Sequence, residues 1–483
     1  MRYLYNRIEF FLNGTAKTAL IPPGLTTLDF LKRELRLFGT KCSCNEGDCG
    51  ACTVAVAEIR EGRIVYEALN SCIYPAARLH GKHLITIEAL GTPEQLHPIQ
   101  EAMLQFHATQ CGYCSPGFVM SAFALFAERA HPSKEELLAG LEGNLCRCTG
   151  YDSILRAMLE LASKDYEIVL PALRAVEAGL GELKPMEYVP QESSSIYACE
   201  AYFLPQSLEE ALRLMREHPE HQLLCGATDI MVQINIAKRK FKCLIDLSFL
   251  RKLRYIKEDG EGILIGSLST YSDLLESGVI TQSFPAFRDL INIIASRQIR
   301  NSGTIAGNIG NASPVGDSLP LLLCLDARLR LVSEQGSREL ALKDYFVSYK
   351  HTALQEGELI EEIILAPVDY KQVFIRIKKA AKRKSVDISA ISSAICLHFD
   401  ADGKITQARL AYGGAAAIPR LASGFEALVL GKKPEELEPE ALAEAVAEEF
   451  TPLSDVRGSA SYRKQLISNQ LLAYLLEAQG MSL

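Results

Sequence analysis

The sequence has 483 residues, of which 48% are hydrophobic and 23% are charged, and its net charge is -8. At about 150 residues per domain, this length predicts three or four domains. The negative charge argues against a nucleic-acid partner, because nucleic-acid binders need basic surfaces. The one dense basic run, KKAAKRK at residues 378–384, is typical of a solvated surface. No apolar run reaches the roughly 18 residues of a spanning helix, and the first residues lack a signal-peptide core, so we expect a cytoplasmic protein without a membrane partner.

Changes in hydrophobic periodicity divide the first part of the chain into three segments. Residues 1–88 contain the strand-like stretches RIEFFLNG, KTALIPPG, CTVAVAEI and RIVYEALNSC with a short helix in TTLDFLKREL, which predict a small β-grasp unit. Residues 89–165 change to the helical period and predict a helical module, in which Ser133 and Glu136 form a capping box. Residues 166–195, with the stretch GELKPMEYVPQESSS, predict a linker.

The remaining chain combines helical and strand patterns. Residues 196–370 contain helical QSLEEALRLMREH, the strands HQLLCG, FKCLIDL and GILIGSLS, and a helix near residues 284–295. Residues 371–483 contain the strands VFIRIKK, SAICLHFD and ITQARLAYGG, followed by helical EALAEAVAEEF and SYRKQLISNQLLAYLLEA. Together these patterns predict an α+β protein of several domains.

The fourteen cysteines are the most informative residues of the sequence. In a reducing compartment they indicate metal ligands or buried thiols rather than disulfides. Cys44, Cys49 and Cys52 have the spacing C-x4-C-x2-C, and Cys72 follows after nineteen intervening residues. This is the plant-type pattern of a [2Fe–2S] cluster. A structural zinc site is the alternative, although zinc ligands usually come in short-spaced pairs.

A second set of four cysteines lies in the helical module, within QCGYCSPG and NLCRCTGY: Cys111, Cys114, Cys146 and Cys148. The C-x-C spacing strains a tetrahedral zinc site but suits two irons, so this set predicts a second [2Fe–2S] cluster, again with zinc as the alternative. Most of the other six cysteines lie in apolar runs and predict buried thiols. Cys42 is interpreted as a non-ligand because the motif is complete without it. The six are Cys42, Cys199, Cys225, Cys243, Cys324 and Cys396.

Two turns rich in glycine and small residues are candidates for binding a nucleotide cofactor. CGATDI, at residues 225–230, directly follows a predicted strand, and NSGTIAGNIGNASPVGD occupies residues 301–317. Neither matches the G-x-G-x-x-G pattern of dinucleotide folds. Consecutive amides in such turns can nevertheless hold an anion. The turns therefore predict either a pyrophosphate-bearing cofactor held outside a Rossmann fold or ordinary loops.

Five motifs in this order, GDCGACTV, QCGYCSPG, NLCRCTGY, CGATDI and TIAGNIGNASPVGD, resemble the iron–sulfur/flavin portion of xanthine dehydrogenases of the molybdenum hydroxylase family, specifically the bacterial small subunit. The resemblance covers essentially the whole chain. It implies a ferredoxin-like β-grasp [2Fe–2S] domain, a helical [2Fe–2S] domain, an α/β FAD-binding domain of the vanillyl-alcohol-oxidase (PCMH) type, and a C-terminal α/β domain like that of CO dehydrogenase flavoproteins.

The resemblance also assigns residues to cofactors. The first four cysteines would hold the cluster nearer the flavin, and the second four would hold the cluster nearer molybdenum. Gln110 would approach the molybdopterin of a partner subunit, unless it is an ordinary polar residue at a helix end. Asp317 and Lys379 would lie near the flavin, although a lysine in a basic run is equally typical of a surface. The other implied FAD contacts are Leu223, Leu224, Cys225, Gly226, Ala227, Thr228, Asp229, Ile230, Thr304, Gly307, Asn308 and Asn311.

Two departures from the family pattern bear on function. Cys42 and Ser43 stand where the family usually has an acidic residue and a glycine before the first ligand, and this change would alter the cluster's potential or its sensitivity to oxygen. Ser385 and Val386 stand where many relatives carry acidic residues before Asp387. Because local charge biases which acceptor docks, this second departure weakens the expectation of NAD as the final acceptor.

The resemblance predicts an iron–sulfur/FAD electron-transfer subunit of a xanthine dehydrogenase, with no catalytic residue for the hydroxylation step. Electrons would pass from a molybdenum cofactor in a partner through two [2Fe–2S] clusters to FAD, and then to NAD or another acceptor. Because the chain ends after the flavin domains, we expect a separate large subunit, in a heterotetramer of two small and two large subunits. The alternatives are the equivalent subunit of a hydroxylase acting on aldehydes, CO or N-heterocycles, and a zinc-stabilised binding module.

Overall fold

The computed structural model describes residues 2–181, 184–260, 262–367 and 372–481. The chain forms two compact units. Unit 1 comprises Met1–Leu250 with Ala295–Gly303, and unit 2 comprises Arg251–Ile294 with Thr304–Leu483. Every helix within the described ranges is too short or too polar to cross a membrane.

The strands in the described residues are β1 (Arg2–Leu12), β2 (Thr15–Ile21), β3 (Thr53–Arg60), β4 (Arg63–Asn70), β5 (His83–Ile85), β6 (Glu187–Glu192), β7 (Cys199–Phe203), β8 (His221–Leu224), β9 (Phe241–Asp246), β10 (Ile256–Asp259), β11 (Gly262–Gly266), β12 (Arg328–Ser333), β13 (Gly336–Ala341), β14 (Phe346–Ser348), β15 (His351–Thr352), β16 (Leu359–Leu365), β17 (Val373–Ala380), β18 (Ile391–Phe399), β19 (Ile405–Gly413) and β20 (Arg420–Leu421).

The α-helices are α1 (Thr27–Asp29), α2 (Pro98–Gln105), α3 (Ser115–Glu128), α4 (Lys134–Leu141), α5 (Asp152–Ala162), α6 (Pro171–Arg174), α7 (Leu208–Glu217), α8 (Ile230–Asn235), α9 (Tyr271–Glu276), α10 (Gly278–Ser283), α11 (Pro285–Ile293), α12 (Arg297–Arg300), α13 (Ile305–Asn311), α14 (Leu319–Cys324), α15 (Phe425–Val429), α16 (Pro439–Glu448) and α17 (Ala460–Ala478). A π-helical turn at Phe30–Glu34 continues α1, and short 3-10 turns lie at Ala76–Leu79, Ile87–Ala89, Glu177–Gly179, Leu247–Phe249, Arg251–Leu253, Leu342–Asp344 and Pro434–Glu436.

Unit 1 is built on one sheet with the strand order β4-β3-β5-β1-β7-β9-β8, and β2 and β6 also pair with β1. The strand alternation predicted in RIEFFLNG is confirmed, because Ile8, Phe10 and Leu12 are buried while Arg7 and Glu9 are exposed. The sheet therefore has one continuous hydrogen-bonded path from the strands beside the first cysteine loop to the strands beside the CGATDI turn.

The predicted linker contains a strand that no sequence pattern indicated. Within residues 166–195, β6 pairs antiparallel with β1 over the whole of residues 187–192. Pro190 has no amide hydrogen, and it is tolerated because β6 is an edge strand that bonds only to β1. Residues 182 and 183 of this segment, and the predicted boundary between residues 370 and 371, lie outside the described residues.

Helices α2 to α5 occupy the predicted helical module. The capping box is confirmed, because Ser133 Oγ accepts from the Glu136 amide at 3.2 Å and the Glu136 carboxylate accepts from the Ser133 amide at 2.8 Å. Helix α3 is buried on nearly all sides. It packs on β3 and β4, where the Tyr66 and Phe123 rings meet edge to face with centroids 6.0 Å apart.

His83 in β5 gives unit 1 a stability that depends on pH. Its side chain is buried, and its Nε2 accepts from the Gly14 amide at 3.0 Å. Burial lowers the pKa of His83 from 6.5 to about 4. The folded protein therefore binds fewer protons than the unfolded chain between these values, so stability falls as the pH drops from 6.5 towards 4.

We expect the shifted pKa of His83 to lower the free energy of unfolding by about 2 kcal/mol when the pH falls from 7 to 5. Urea unfolding of the wild type and His83→Gln at both pH values measures the effect. The glutamine keeps an acceptor for the Gly14 amide but does not titrate, so its pH dependence should be weaker by that amount. Parallel pH dependences in the two proteins would refute the assignment.

Unit 2 contains a sheet with the order β10-β11-β16-β12-β13, a two-stranded ribbon of β14 and β15, and a sheet with the order β17-β18-β19-β20. Helices α14, α15 and α17 pack on β18 and β19. Their core includes the buried residues Ile395, Phe425 and Tyr474, and the Tyr474 hydroxyl donates to the Ser393 carbonyl at 3.0 Å. The α+β class predicted from the sequence is confirmed in both units.

Candidate functional site

The first four predicted ligands are brought together by a loop and a strand pair of unit 1. Strands β3 and β4 are antiparallel with Thr53 opposite Asn70, so Cys52, just before β3, comes close to Cys72, two residues after β4. Cys52 Sγ and Cys72 Sγ are 3.2 Å apart and buried. Cys44 and Cys49 form a second pair, in which the Cys49 thiol donates to Cys44.

The loop around Cys44 supplies donors that favour a thiolate. Its Sγ accepts from the amides of Glu46, Asp48 and Cys49 at 3.5, 3.3 and 3.4 Å. Gly47 makes this wrapping possible with a φ of 84°, which side-chain-bearing residues rarely adopt. The Cys49 thiol and these amides lower the pKa of Cys44 to about 5. A site that stabilises a thiolate in this way is suited to binding metal.

The second four predicted ligands also come together as two pairs. Cys111 Sγ and Cys148 Sγ are 3.7 Å apart, and Cys114 is hydrogen-bonded to Cys146. Two thiolates on one tetrahedral metal with bonds of about 2.3 Å would lie about 3.7 Å apart. Cys146 Sγ also accepts from the amide and hydroxyl of Thr149, at 3.5 and 3.1 Å.

Both sets of cysteines have the pairing that a diiron cluster uses. A [2Fe–2S] cluster takes two thiolates on each of two irons. The pairs Cys44–Cys49 and Cys52–Cys72, and the pairs Cys111–Cys148 and Cys114–Cys146, provide this arrangement twice.

The other six cysteines are not members of these pairs, and Cys225 is half-buried rather than buried as expected. Cys199, Cys243, Cys324 and Cys396 are buried, as expected for small apolar side chains. Cys42 is half-buried, and its thiol faces Asn45 Oδ1 at 3.8 Å. Its assignment as a non-ligand stays a prediction.

The two cluster loops are in direct backbone contact. The Leu145 amide, one residue before Cys146, donates to the carbonyl of Cys49 at 2.9 Å. Gly50 makes the approach possible, because a Cβ there would lie 2.3 Å from the Gly143 carbonyl oxygen. A Cβ on Gly117 would likewise lie 2.3 Å from the carbonyl oxygen of Gly50. The hydrogen bond from Leu145 to Cys49 thus connects a predicted ligand of the first cluster to the residue just before Cys146, a predicted ligand of the second.

A buried amide network holds this contact, and sequence reasoning missed it. Asn144 Nδ2 donates to the Gly50 carbonyl at 3.0 Å. Gln298 Nε2, from α12, donates to Asn144 Oδ1 and to Ser121 Oγ, both at 3.0 Å. Asn144 lies inside the NLCRCTGY motif, and its position two residues before Cys146 could have indicated that its side chain supports the loop. Gln298 is 154 residues from it in sequence, so no local pattern indicates the pairing.

The CGATDI turn of unit 1 presents a series of backbone donors. It follows β8, and Ala227 has a φ of 63°. Within the described chain, the amides of residues 226–230 donate to no protein acceptor. A Cβ on Gly226 would lie 2.4 Å from the Ser302 carbonyl oxygen, so only glycine allows the turn to approach residues 302–303. Consecutive unpaired amides in a turn suit an anion, so this donor set fits the pyrophosphate of FAD.

Helix α8 connects this turn to the first cluster loop. It has six residues and begins at Ile230, inside the turn. At its other end, Asn235 Nδ2 donates to the carbonyls of Cys72 and Asn45 at 2.7 and 3.1 Å. A helix of this length spans about 9 Å. The predicted pyrophosphate turn and the ligand Cys72 therefore lie at the two ends of one short helix.

The second group of predicted FAD contacts lies in unit 2. Thr304 Oγ1 caps α13 by accepting from the Gly307 amide at 3.0 Å, and Asn308 Oδ1 accepts from Ser318 Oγ at 2.8 Å. Asn311 is the last residue of α13. These positions remain predictions as FAD contacts.

Asp317 and Lys379 form an ion pair in unit 2, with Nζ 2.7 Å from Oδ2. The Ser389 hydroxyl also donates to Asp317, and Lys379 Nζ donates to the Ile293 carbonyl at 3.0 Å. The Lys379 side chain is only 6% exposed, so the surface alternative for this lysine is wrong. It turns inward because it lies on β17, whereas residues 382–384 of the same basic run follow the strand and are exposed.

The second cysteine set reaches the protein surface. Cys111 and Cys148 are exposed, and Gln110 beside them is exposed as well. Three large side chains next to the set are also exposed: Tyr113 at 48%, Leu145 at 42% and Tyr151 at 44%. Exposed large side chains around one predicted site make this surface a candidate for a protein–protein contact.

Family models cover most of the chain. A 2Fe-2S iron-sulfur cluster binding domain matches residues 10–76, and a [2Fe-2S] binding domain matches residues 86–159. An FAD binding domain in molybdopterin dehydrogenase matches residues 195–367, and a CO dehydrogenase flavoprotein C-terminal domain matches residues 376–478. The four domain types predicted from the sequence are confirmed.

Known proteins match over long parts of the chain. The xanthine dehydrogenase of Blastobotrys adeninivorans is 30% identical over 99% of this chain and 41% of its own length, so the chain spans about two fifths of that relative. The CO dehydrogenase structure from Oligotropha carboxidovorans matches with a TM-score of 0.55 and 27% identity, over 58% of this chain and 98% of that one. The quinoline 2-oxidoreductase structure from Pseudomonas putida 86 shares the fold, with a TM-score of 0.53 and 22% identity over 58% of this chain and 97% of that one.

Proposed function

We propose that this chain, which is the iron–sulfur/FAD electron-transfer module of a molybdenum hydroxylase, serves a xanthine dehydrogenase. The observation that carries the proposal is the linear order of its contacts. The second cluster loop bonds to the first through Leu145 and Cys49, and the first connects through Asn235 and α8 to the predicted pyrophosphate turn. A zinc-stabilised scaffold would not require this order.

When bound, the clusters pass electrons singly and FAD collects two, so that one-electron carriers serve a two-electron acceptor. The protein's task is to fix the distances and the polarity around these groups. Amides of residues 46, 48 and 49 face the Cys44 sulfur, and hydrogen bonds to ligand sulfurs help set a cluster's potential. Burial of Cys52 and Cys72 would shield a bound cluster from water on that side.

The exposed surface around Cys111 and Cys148 supports a partner subunit that carries the molybdenum cofactor. We propose that Gln110 and the side chains of Tyr113 and Leu145 meet that partner, because they surround the outer pair of ligands. An electron entering there would reach the second cluster first. The heterotetramer of two small and two large subunits stays a prediction, as does the cytoplasmic location.

The final acceptor is proposed to be NAD or another anion. Unit 2 has a cleft of about 560 Å³ whose lining includes Asp289 and Lys379 together with residues 382–384. Lysines and arginine dominate this lining, and a basic cleft raises the local concentration of an anionic acceptor. The same electrostatics would suit other phosphate-bearing or carboxylate acceptors.

The substrate proposal rests on the relatives. Xanthine dehydrogenases match along nearly the whole chain, and this favours hypoxanthine and xanthine. CO dehydrogenase structures match at a similar identity over a shorter part of the chain, so the equivalent module of a CO-oxidising enzyme is the second candidate.

The module is tested on the native complex purified anaerobically from its source. We expect about four irons and one FAD per chain, two rhombic EPR signals after dithionite reduction, and a co-purifying chain with molybdenum and pterin. The complex should oxidise hypoxanthine faster than CO, aldehydes or quinoline. A colourless complex containing zinc would overturn the electron-transfer role, and a preference for CO would overturn only the substrate.

A further inference from the structure

We propose that Arg78 is a positioning residue for FAD, fixing the turn of residues 225–227 so that successive backbone amides face the cofactor's pyrophosphate. This inference rests on the proposed FAD function and deepens it. Arg78 lies in the 3-10 turn Ala76–Leu79, six residues after the cluster ligand Cys72. The two segments that it joins are about 150 residues apart in sequence.

The guanidinium of Arg78 is locked by a buried carboxylate. Its Nε and Nη2 donate to the two oxygens of Asp246 at 2.6 and 2.7 Å, and these side chains are 4% and 0% exposed. The Tyr202 hydroxyl also donates to Asp246. A bidentate pair of this kind fixes the plane of the guanidinium, so its remaining N–H groups point in set directions.

Those remaining N–H groups bind the turn. Nη1 of Arg78 donates to the Gly226 carbonyl at 3.2 Å, and Nη2 also donates to the Cys225 carbonyl. In a trans peptide the carbonyl and the following N–H point in opposite directions. Because both carbonyls face Arg78, the amides of Gly226 and Ala227 must face away from it, on the other side of the turn.

This orientation produces the row of donors in the CGATDI turn. The positive φ of Ala227, 63°, keeps adjacent amides on one side of the turn, as in anion-binding nests. Within the described residues, those amides have no protein acceptor. Arg78 does not touch the pyrophosphate in this arrangement. It acts through the two carbonyls, and its proximity to Cys72 couples the turn to the chain segment that holds the first cluster.

The decisive variant is Arg78→Lys. An ammonium can pair with Asp246, but it lacks the planar fork needed to hold two carbonyls at the same time. In the holoprotein after FAD removal, we expect FAD to bind roughly ten-fold more weakly than in the wild type. The ³¹P NMR signals of the bound FAD should also shift. A merely structural role would lower stability without moving these phosphate signals.

Tyr202→Phe is the matched control. It removes one hydrogen bond to Asp246 but none to the turn, so the FAD dissociation constant and the ³¹P signals should stay at wild-type values. If Arg78→Lys fails to fold, hydrogen exchange on the wild-type holoprotein decides the question. FAD should protect the amides of residues 226–230 that exchange readily after FAD removal.

The outcomes separate this inference from the proposed function. Arg78→Lys with wild-type affinity and unshifted ³¹P signals would overturn the role of Arg78 and leave the FAD function intact. The role of Arg78 would also be overturned, with the FAD function intact, if FAD binding left the hydrogen exchange of the amides of residues 226–230 unchanged. A wild-type protein that binds no FAD would overturn both.

Discussion

Replacing Cys114 by serine is expected to reduce the iron content from about four to about two atoms per chain, with FAD retained. Cys114 pairs with Cys146, and this pair supplies half of the ligands of the second predicted cluster. Serine is a poor replacement, because iron in such clusters is held by thiolates. The first set and the FAD turn lie on other segments of unit 1, so their cofactors should persist.

Iron analysis and low-temperature EPR measure the result, with one of two rhombic signals expected to disappear. In the native complex, substrate should no longer reduce the flavin, whereas direct reduction of the flavin by NADH should survive if NADH reacts with the wild type. Cys42→Ser is the control, because Cys42 is predicted not to bind iron, and it should keep about four irons per chain. Substrate-driven flavin reduction in Cys114→Ser would refute the series arrangement of the two clusters.

Replacing Gly50 by alanine is expected to destabilise the protein by about 4 kcal/mol or more. Gly50 has a φ of 67°, and a Cβ there would lie 2.3 Å from the Gly143 carbonyl oxygen. The positive φ alone costs an alanine about 1–2 kcal/mol. The backbone clash must also separate the two cluster loops, which breaks the hydrogen bond from Leu145 to Cys49. We therefore expect loss of iron from both sites as well.

Gly62→Ala separates the two costs. Gly62 has a φ of 76°, and a Cβ there would meet no atom within 4 Å. Both variants carry the conformational cost, but only Gly50→Ala carries the clash. Urea unfolding and iron content of the two proteins should therefore differ strongly. Equal destabilisation with iron retained in both would show that the close approach of the two loops is not needed for the clusters.

Local patterns were sufficient for most elements of this protein and for the prediction of its cluster ligands, although they missed β6. Strand alternation in RIEFFLNG and the capping box at Ser133 lie within a few residues of sequence, and both occur as predicted. The C-x4-C-x2-C loop is equally local. Its glycines and cysteines predict a loop that wraps one centre, so sequence spacing alone narrows the expected chemistry.

Residues that act across long sequence distances were not predictable in this way. Gln298 reaches Asn144, and Arg78 reaches the carbonyls of Cys225 and Gly226. Polar side chains of this kind are common on any surface, and nothing beside them in the sequence shows that they are buried. Lys379 illustrates the same limit, because its basic neighbours indicated a surface while its strand turns it inward to Asp317.

The sequence by itself predicted which thiols would bind iron and which turn would bind a nucleotide, because both predictions depend mainly on motifs of neighbouring residues. The tertiary structure alone decided which contacts join the sites. They include the hydrogen bonds from Leu145 to Cys49 and from Asn144 to Gly50, and the 9 Å or so spanned by α8. These contacts exist only after segments distant in the chain have packed together, since the burial of their partners, and not their local sequence, fixes where they meet.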